Sequence, residues 1–132
     1  MTEPLKVLYV CSEVAPLAKT GGLGDVANAL PRALHERGHD VRVAMPCYRQ
    51  ISRTARGEPV IEVEADLAFP HGCGVLRERR LPHSDVPLYL VENDDYFDRE
   101  YLYGPPGSEY DDNLERFAFF CNATMDGMRK LN

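Results

Sequence analysis

Lys19-Thr20-Gly21-Gly22-Leu23-Gly24-Asp25 places a cation, three glycines and a carboxylate in seven consecutive residues. Glycine removes the side chain where a backbone must come close to something else. A helix that opens on such a run offers free N–H groups, and a lysine beside it adds a full positive charge. The chemistry this combination suits is the holding of phosphate or another anion.

The flanking residues supply the elements that must position the run. Val7 to Cys11 is short and apolar throughout, which fits a strand buried on both faces, as in a parallel sheet. A helix is predicted over 22–37, with Val26, Leu30, Ala33 and Leu34 on one apolar stripe and Gly38 as its stop. Pro31 falls inside it and should bend it. Residues 40–45 read as a second strand closed by Pro46, so the segment is a βαβ unit.

The middle of the chain has a different rhythm. Residues 60–67 alternate imperfectly, Pro70-His71-Gly72 marks a turn, and 74–81 can pair back as a hairpin. Residues 87–92 form another apolar strand. A polar stretch from 93 to 111, rich in Tyr, Gly, Pro and Asp, reads as a long loop. A final helix starts after Asp112, a candidate N-cap with Glu115 three residues on. Its periodic residues are Leu114, Phe117, Ala118, Cys121, Thr124, Met125 and Met128. The class is α/β, a mostly parallel sheet with flanking helices and a β-hairpin insertion. An apolar helix with no strand after it suggests an incomplete domain.

Composition narrows the partners. With 15 Lys and Arg against 21 Asp and Glu, the net charge is −6. No cationic excess is available to neutralise nucleic acid or an anionic membrane. The short cluster Arg77, Arg79, Arg80 is broken by Glu78 and reads as a solvated face. Cys11, Cys47, Cys73 and Cys121 are widely spaced, and with the four histidines they make no metal template. They are expected to be reduced and mostly buried, as in a cytoplasmic protein. No secretory leader and no membrane-spanning run is read.

Gly22 to Ala27 fits the dinucleotide pattern GxGxxA, but two features oppose that use. Residues 15–21 separate the run from the strand, and the second strand ends in Met45-Pro46-Cys47-Tyr48, without a ribose-binding acid. A P-loop is excluded because the lysine precedes the glycines. The stretch 16–20 reads better as a loop reaching over the crevice at the carboxyl edge of the sheet, with Glu13 at the crevice edge as a hydrogen-bonder.

Val10-Cys11-Ser12-Glu13-Val14-Ala15-Pro16, followed by Lys19-Thr20-Gly21-Gly22-Leu23-Gly24-Asp25-Val26, closely resembles the N-terminus of bacterial glycogen synthases and plant starch synthases. Leu30-Pro31, Gly38-His39, Met45-Pro46-Cys47-Tyr48, Leu102-Tyr103-Gly104-Pro105, Asp112-Asn113 and Arg116-Phe117 extend the likeness. It spans nearly the whole chain and is weakest between Ser52 and Ser84.

The resemblance implies a retaining, metal-free glycosyltransferase of the two-domain GT-B fold. Such an enzyme moves glucose from ADP-glucose to the non-reducing end of an α-1,4-glucan and needs no further cofactor. It implies that residues 1–132 are part of a Rossmann-like, acceptor-side N-terminal domain, without the C-terminal nucleotide-binding domain, and are inactive alone. Lys19 and Asp25 are then the catalytic candidates, with Lys19 on the donor's phosphates. Thr20, Gly21, Gly22, Gly24 and Tyr103 join them as substrate-binding candidates. The alternatives are a non-catalytic sugar- or nucleotide-binding module that uses the same loop and, third, another GT-B glucosyltransferase, over which the Lys19–Asp25 string and the Tyr103-Gly104-Pro105 block favour the synthase. Donor base and oligomeric state stay open.

Overall fold

The structure, a computed structural model, describes residues 3–66 and 71–131. Five strands form one sheet: β1 (Lys6–Val10), β2 (Asp40–Pro46), β3 (Glu58–Asp66), β4 (His71–Arg80) and β5 (Pro87–Glu92), in the order β1-β2-β5-β4-β3. β1 pairs with β2 and β2 with β5 in parallel, whereas β5–β4 and β4–β3 are antiparallel. The sheet is therefore mixed rather than mostly parallel. The hairpin is an insertion only in connectivity; its backbone continues the same ladder. The turn residues between its strands lie outside the described residues.

Burial follows position in this order. Val41, Val43, Ala44 and Met45 of β2 and Leu88 to Val91 of β5 are fully enclosed or nearly so. β1 is only half-buried because it lies at the edge of the sheet, which corrects the reading of a strand covered on both faces.

α1 (Gly22–Glu36) follows the glycine run and ends before Gly38, whose φ of +94° suits glycine at this stop. Its orientation reverses the sequence expectation. Gly24, Ala27 and Pro31 face inward, while Leu23, Val26 and Leu30 are 50%, 51% and 43% exposed. Small residues on the inner face let this helix lie close to the sheet, and the larger apolar side chains are left outside.

α4 (Asn113–Leu131) covers the hairpin half of the sheet. Its buried face is Arg116, Phe119, Phe120, Ala123, Thr124 and Gly127, rotated from the predicted stripe; Leu114, Cys121 and Met125 are exposed. Apolar residues occur around most of its circumference, so periodicity alone did not select the face. Nor does a capping box form: the Asp112 carboxylate is taken by Arg99 at 2.6 and 2.7 Å, and Glu115 accepts from the Tyr96 hydroxyl at 2.9 Å.

At Gly127 α4 lies close against the sheet. A Cβ there would lie 2.9 Å from Leu76 Cδ2 and 3.2 Å from Val63 Cγ1. Gly127→Val is therefore expected to destabilise the fold by about 1–3 kcal/mol through overpacking. A lowered urea midpoint would show it, and an unchanged midpoint would refute the tight seat.

Two short helices were not anticipated. α2 (Arg49–Ser52) follows β2, and α3 (Asp94–Phe97) is capped by Asn93, whose side chain accepts from Tyr96 N at 3.1 Å. The basic cluster is not simply solvated. Arg77 donates to Glu92 at 2.9 Å and to Gly57 O at 3.2 Å, and Arg79 donates to Ala55 O at 3.0 Å. Cys11 and Cys47 are buried and Cys73 and Cys121 exposed, all as free thiols. Burial pushes the Cys47 thiol up to about 12, so it stays protonated.

Candidate functional site

The glycine run is held from below by its own neighbours. After β1 the chain folds into a tight loop in which Val14 and Ala18 exchange backbone hydrogen bonds of 3.0 Å. Ala15 N donates to Gly24 O at 2.9 Å, and Asn28 Nδ2 donates to Ala15 O at 2.9 Å, which ties the loop to the first turns of α1. Lys19 emerges from that loop. Its stem lies on Gly24, where a Cβ would sit 3.3 Å from Lys19 Cβ and Cγ.

The Lys19 ammonium meets Asp25 at 2.9 Å, with the two side chains 45% and 57% exposed. Asp25 is in the first turn of α1, where a carboxylate also opposes the positive end of the helix dipole. A pair this open adds at most about 1 kcal/mol to stability. Its consequence is positional, because the ammonium is held over the start of α1. Gly21 occupies the N-cap position with extended backbone and no side-chain cap, and both Gly21 and Gly22 have open space where a Cβ would be. The first turn of α1 thus has no side-chain cap and no side chain at Gly21 or Gly22 to cover it.

Thr20 and Tyr103 converge on a residue that the sequence placed only at the crevice edge. Glu13 is 3% exposed. Thr20 N donates to its Oε1 at 2.7 Å; the Thr20 hydroxyl at 2.7 Å and the Tyr103 hydroxyl at 2.6 Å both donate to Oε2. Tyr103 spends its proton on Glu13, so the Ser12 hydroxyl, 2.7 Å away, donates to Tyr103 in turn. The Tyr48 hydroxyl closes the set by donating to Ser12 O at 2.7 Å.

Burial pulls the Glu13 carboxyl upward, but the bonds from Thr20, Tyr103 and the Gly21 backbone outweigh it and leave it below its usual range. The stabilisation belongs to the ionised form. It is fully present above the unfolded carboxyl's value and is lost as pH falls through the lower folded one. Tyr103 is pushed the other way, by burial first and then by Glu13, so its hydroxyl stays protonated.

The stretch carrying Tyr103 is no free loop. Tyr110 N donates to Tyr103 O at 2.8 Å, and Asn113 Nδ2 donates to the same oxygen at 2.8 Å. Arg116 lies wholly buried beneath it. Its guanidinium donates to Tyr96 O at 2.6 Å, Leu102 O at 2.9 Å and Asn113 Oδ1 at 2.8 Å, and packs over the rings of Phe97, Tyr110 and Phe117.

Of the sequence-predicted site residues, the structure brings Lys19, Gly21, Gly22, Gly24 and Asp25 together at the start of α1. Thr20 and Tyr103 meet at Glu13 with their hydroxyls turned inward. Among the described residues no group of three or more His, Cys, Asp or Glu side chains is arranged to hold a metal ion. Among the described residues no helix is long and apolar enough to cross a membrane.

The family profile described as "Starch synthase catalytic domain" matches residues 6–132. This chain belongs to the starch synthase catalytic-domain family. Among its curated relatives, glycogen synthase 2 of Geobacter metallireducens is 48% identical over 134 residues, covering 97% of this chain and 26% of that protein. The glycogen synthase of Moorella thermoacetica is 45% identical over 126 residues, covering 95% and 24%. The chain thus spans about a quarter of the length of these relatives. Among solved structures, the catalytic domain of starch synthase IV from Arabidopsis thaliana, bound to ADP and acarbose, superposes with a TM-score of 0.80. It is 25% identical, and the match covers 98% of this chain and 26% of that one.

Within this family chain, Ser12, Tyr48 and Arg116 are the structural partners that residue types did not single out. Ser12 and Tyr48 sit inside strings quoted for the resemblance, and Arg116 in the pair Arg116-Phe117. Ser12 meets Tyr103 across 91 residues of sequence and Tyr48 across 36, which is a product of the fold.

Proposed function

We propose that this chain forms the acceptor-side, N-terminal wall of the sugar-nucleotide site in an ADP-glucose-dependent glucan synthase. The enzyme is of the retaining, two-domain GT-B kind, cytoplasmic, and extends an α-1,4-glucan at its non-reducing end. The rest of the nucleotide pocket belongs to a C-terminal domain of the whole protein. The observation that carries this reading is the Lys19 ammonium held at Asp25 over the uncapped, glycine-lined first turn of α1.

Departure of a nucleoside diphosphate builds negative charge on the bridging and terminal oxygens. A fixed ammonium and preorganised N–H donors stabilise that charge as it develops. The ammonium has three donors, so Lys19 can keep Asp25 and still reach a phosphate. Asp25, held beside it, faces the transferred glucose. Gly21 and Gly22 let diphosphate and sugar approach the backbone, buried Gly24 seats the Lys19 stem, and Thr20 and Tyr103 hold the run through Glu13. Family membership supports the reaction class, and the ADP and acarbose bound to the plant relative support a nucleotide and a saccharide as ligands.

The test is transfer of labelled glucose to a maltooligosaccharide by the full-length protein, with ADP-glucose and UDP-glucose as alternative donors. Elongation with ADP-glucose is expected, and none from residues 1–132 alone. Absence of transfer by the full-length protein with ADP-glucose would overturn the reading.

A further inference from the structure

We propose that Glu13 is a positioning residue that fixes the attitude of the Lys19–Gly22 run; its kinetic consequence rests on the reaction proposed above. Three observations converge on it. Glu13 is nearly enclosed, so its charge is not there to meet solvent. The hydrogen bonds it accepts come from Thr20, from Tyr103 and from the Gly21 backbone. Two of these come from Thr20, the residue directly after Lys19.

The geometry explains why a carboxylate serves here. The Thr20 amide and hydroxyl grip the two oxygens of one planar group, which removes rotation about the Thr20 backbone. Lys19 on one side and Gly21 on the other are thereby aimed. Oε2 is shared with Tyr103, whose own loop is anchored by Arg116 and Asn113. The glycine loop is thus referenced to a second, independently pinned segment, and it cannot tilt unless both move. Misplacing a catalytic group by about 1 Å is enough to cost about 100-fold in rate.

Glu13→Ala deletes both acceptor oxygens and with them the bonds from Thr20 and Tyr103. Glu13→Gln keeps the shape, with an oxygen for the Thr20 amide and an NH₂ that can donate to both hydroxyl oxygens. In the full-length protein, Glu13→Ala is expected to lower kcat with ADP-glucose about 100-fold while the KM for glucan changes little. Glu13→Gln is expected to stay within a few-fold of the parent. Hydrogen exchange gives a readout that needs no substrate: the Thr20 and Gly21 amides exchange faster in Glu13→Ala and near the parent rate in Glu13→Gln.

If Glu13→Gln is as slow as Glu13→Ala, the charge acts directly and the positioning role is wrong. Unchanged exchange in Glu13→Ala also overturns it. Should Glu13→Ala fail to fold by circular dichroism, Thr20→Val takes its place: it deletes one hydroxyl donor and is expected to speed exchange at Gly21, and no change there refutes the clamp. A parent protein that shows no ADP-glucose transfer while exchange still responds to Glu13→Ala rejects the proposed reaction and leaves the clamp standing.

Discussion

Lys19→Ala is expected to reduce kcat/KM for ADP-glucose by about 100- to 1,000-fold in the full-length protein, with the melting temperature nearly unchanged. The size follows from the loss of one preorganised charge aimed at a developing oxyanion. The small stability change follows from the openness of the Lys19–Asp25 pair, whose partners are about half exposed. The combination is diagnostic. A residue that merely holds a loop closed would lose stability along with rate, and a solvated lysine would lose neither. Initial-rate measurements together with thermal melts decide it. A rate within a few-fold of the parent would remove Lys19 from the chemistry.

Arg116→Ala carries the second large effect, this time on the fold. Arg116 is fully enclosed, and among the described residues its partners are carbonyl oxygens and aromatic rings. Truncation leaves the oxygens of Tyr96, Leu102 and Asn113 buried without their donor and opens a cavity among Phe97, Tyr110 and Phe117. An unmade buried hydrogen bond costs about 1–3 kcal/mol, so a total loss of about 3–5 kcal/mol is expected. Burial itself opposes the charge and holds the guanidinium below its usual range, which offsets part of what the hydrogen bonds contribute. Urea unfolding measures the difference, and a loss under about 1 kcal/mol would show that the site collapses without penalty. The same variant should release Tyr103 from Glu13, because Leu102 O and Asn113 Oδ1 both rest on Arg116.

These residues also show where sequence reasoning reaches and where it stops. The strand, glycine loop, helix and second strand from Lys6 to Pro46 were legible because apolar runs and glycines punctuate them locally. The ion pair between Lys19 and Asp25 lies within that stretch, so its members could be named together. Glu13 was read as an edge hydrogen-bonder, and Thr20 lies within seven residues of it, yet its third donor comes from 90 residues away. No periodicity encodes such a contact.

The inner faces of both long helices were misread for a common reason. Hydrophobic pattern marks where large apolar side chains are, whereas α1 meets the sheet through glycine, alanine and proline. In α4 a buried arginine and a glycine take positions that polarity and size would send elsewhere. Antiparallel continuation of the sheet was hidden too, since a hairpin reads the same whether it stands apart or joins the main ladder.

The small-residue seat of α1 makes the helix a lever. Its fulcrum is Ala27, with Gly24 and Pro31 on either side, and the bare amides at its tip ride with the rod. One methyl group more or less at the pivot would raise or lower the Lys19–Gly22 run by a fraction of an ångström without altering any residue of the loop. On the proposed reaction, a change at Ala27 would alter the rate from beneath, with the sequence of the loop untouched.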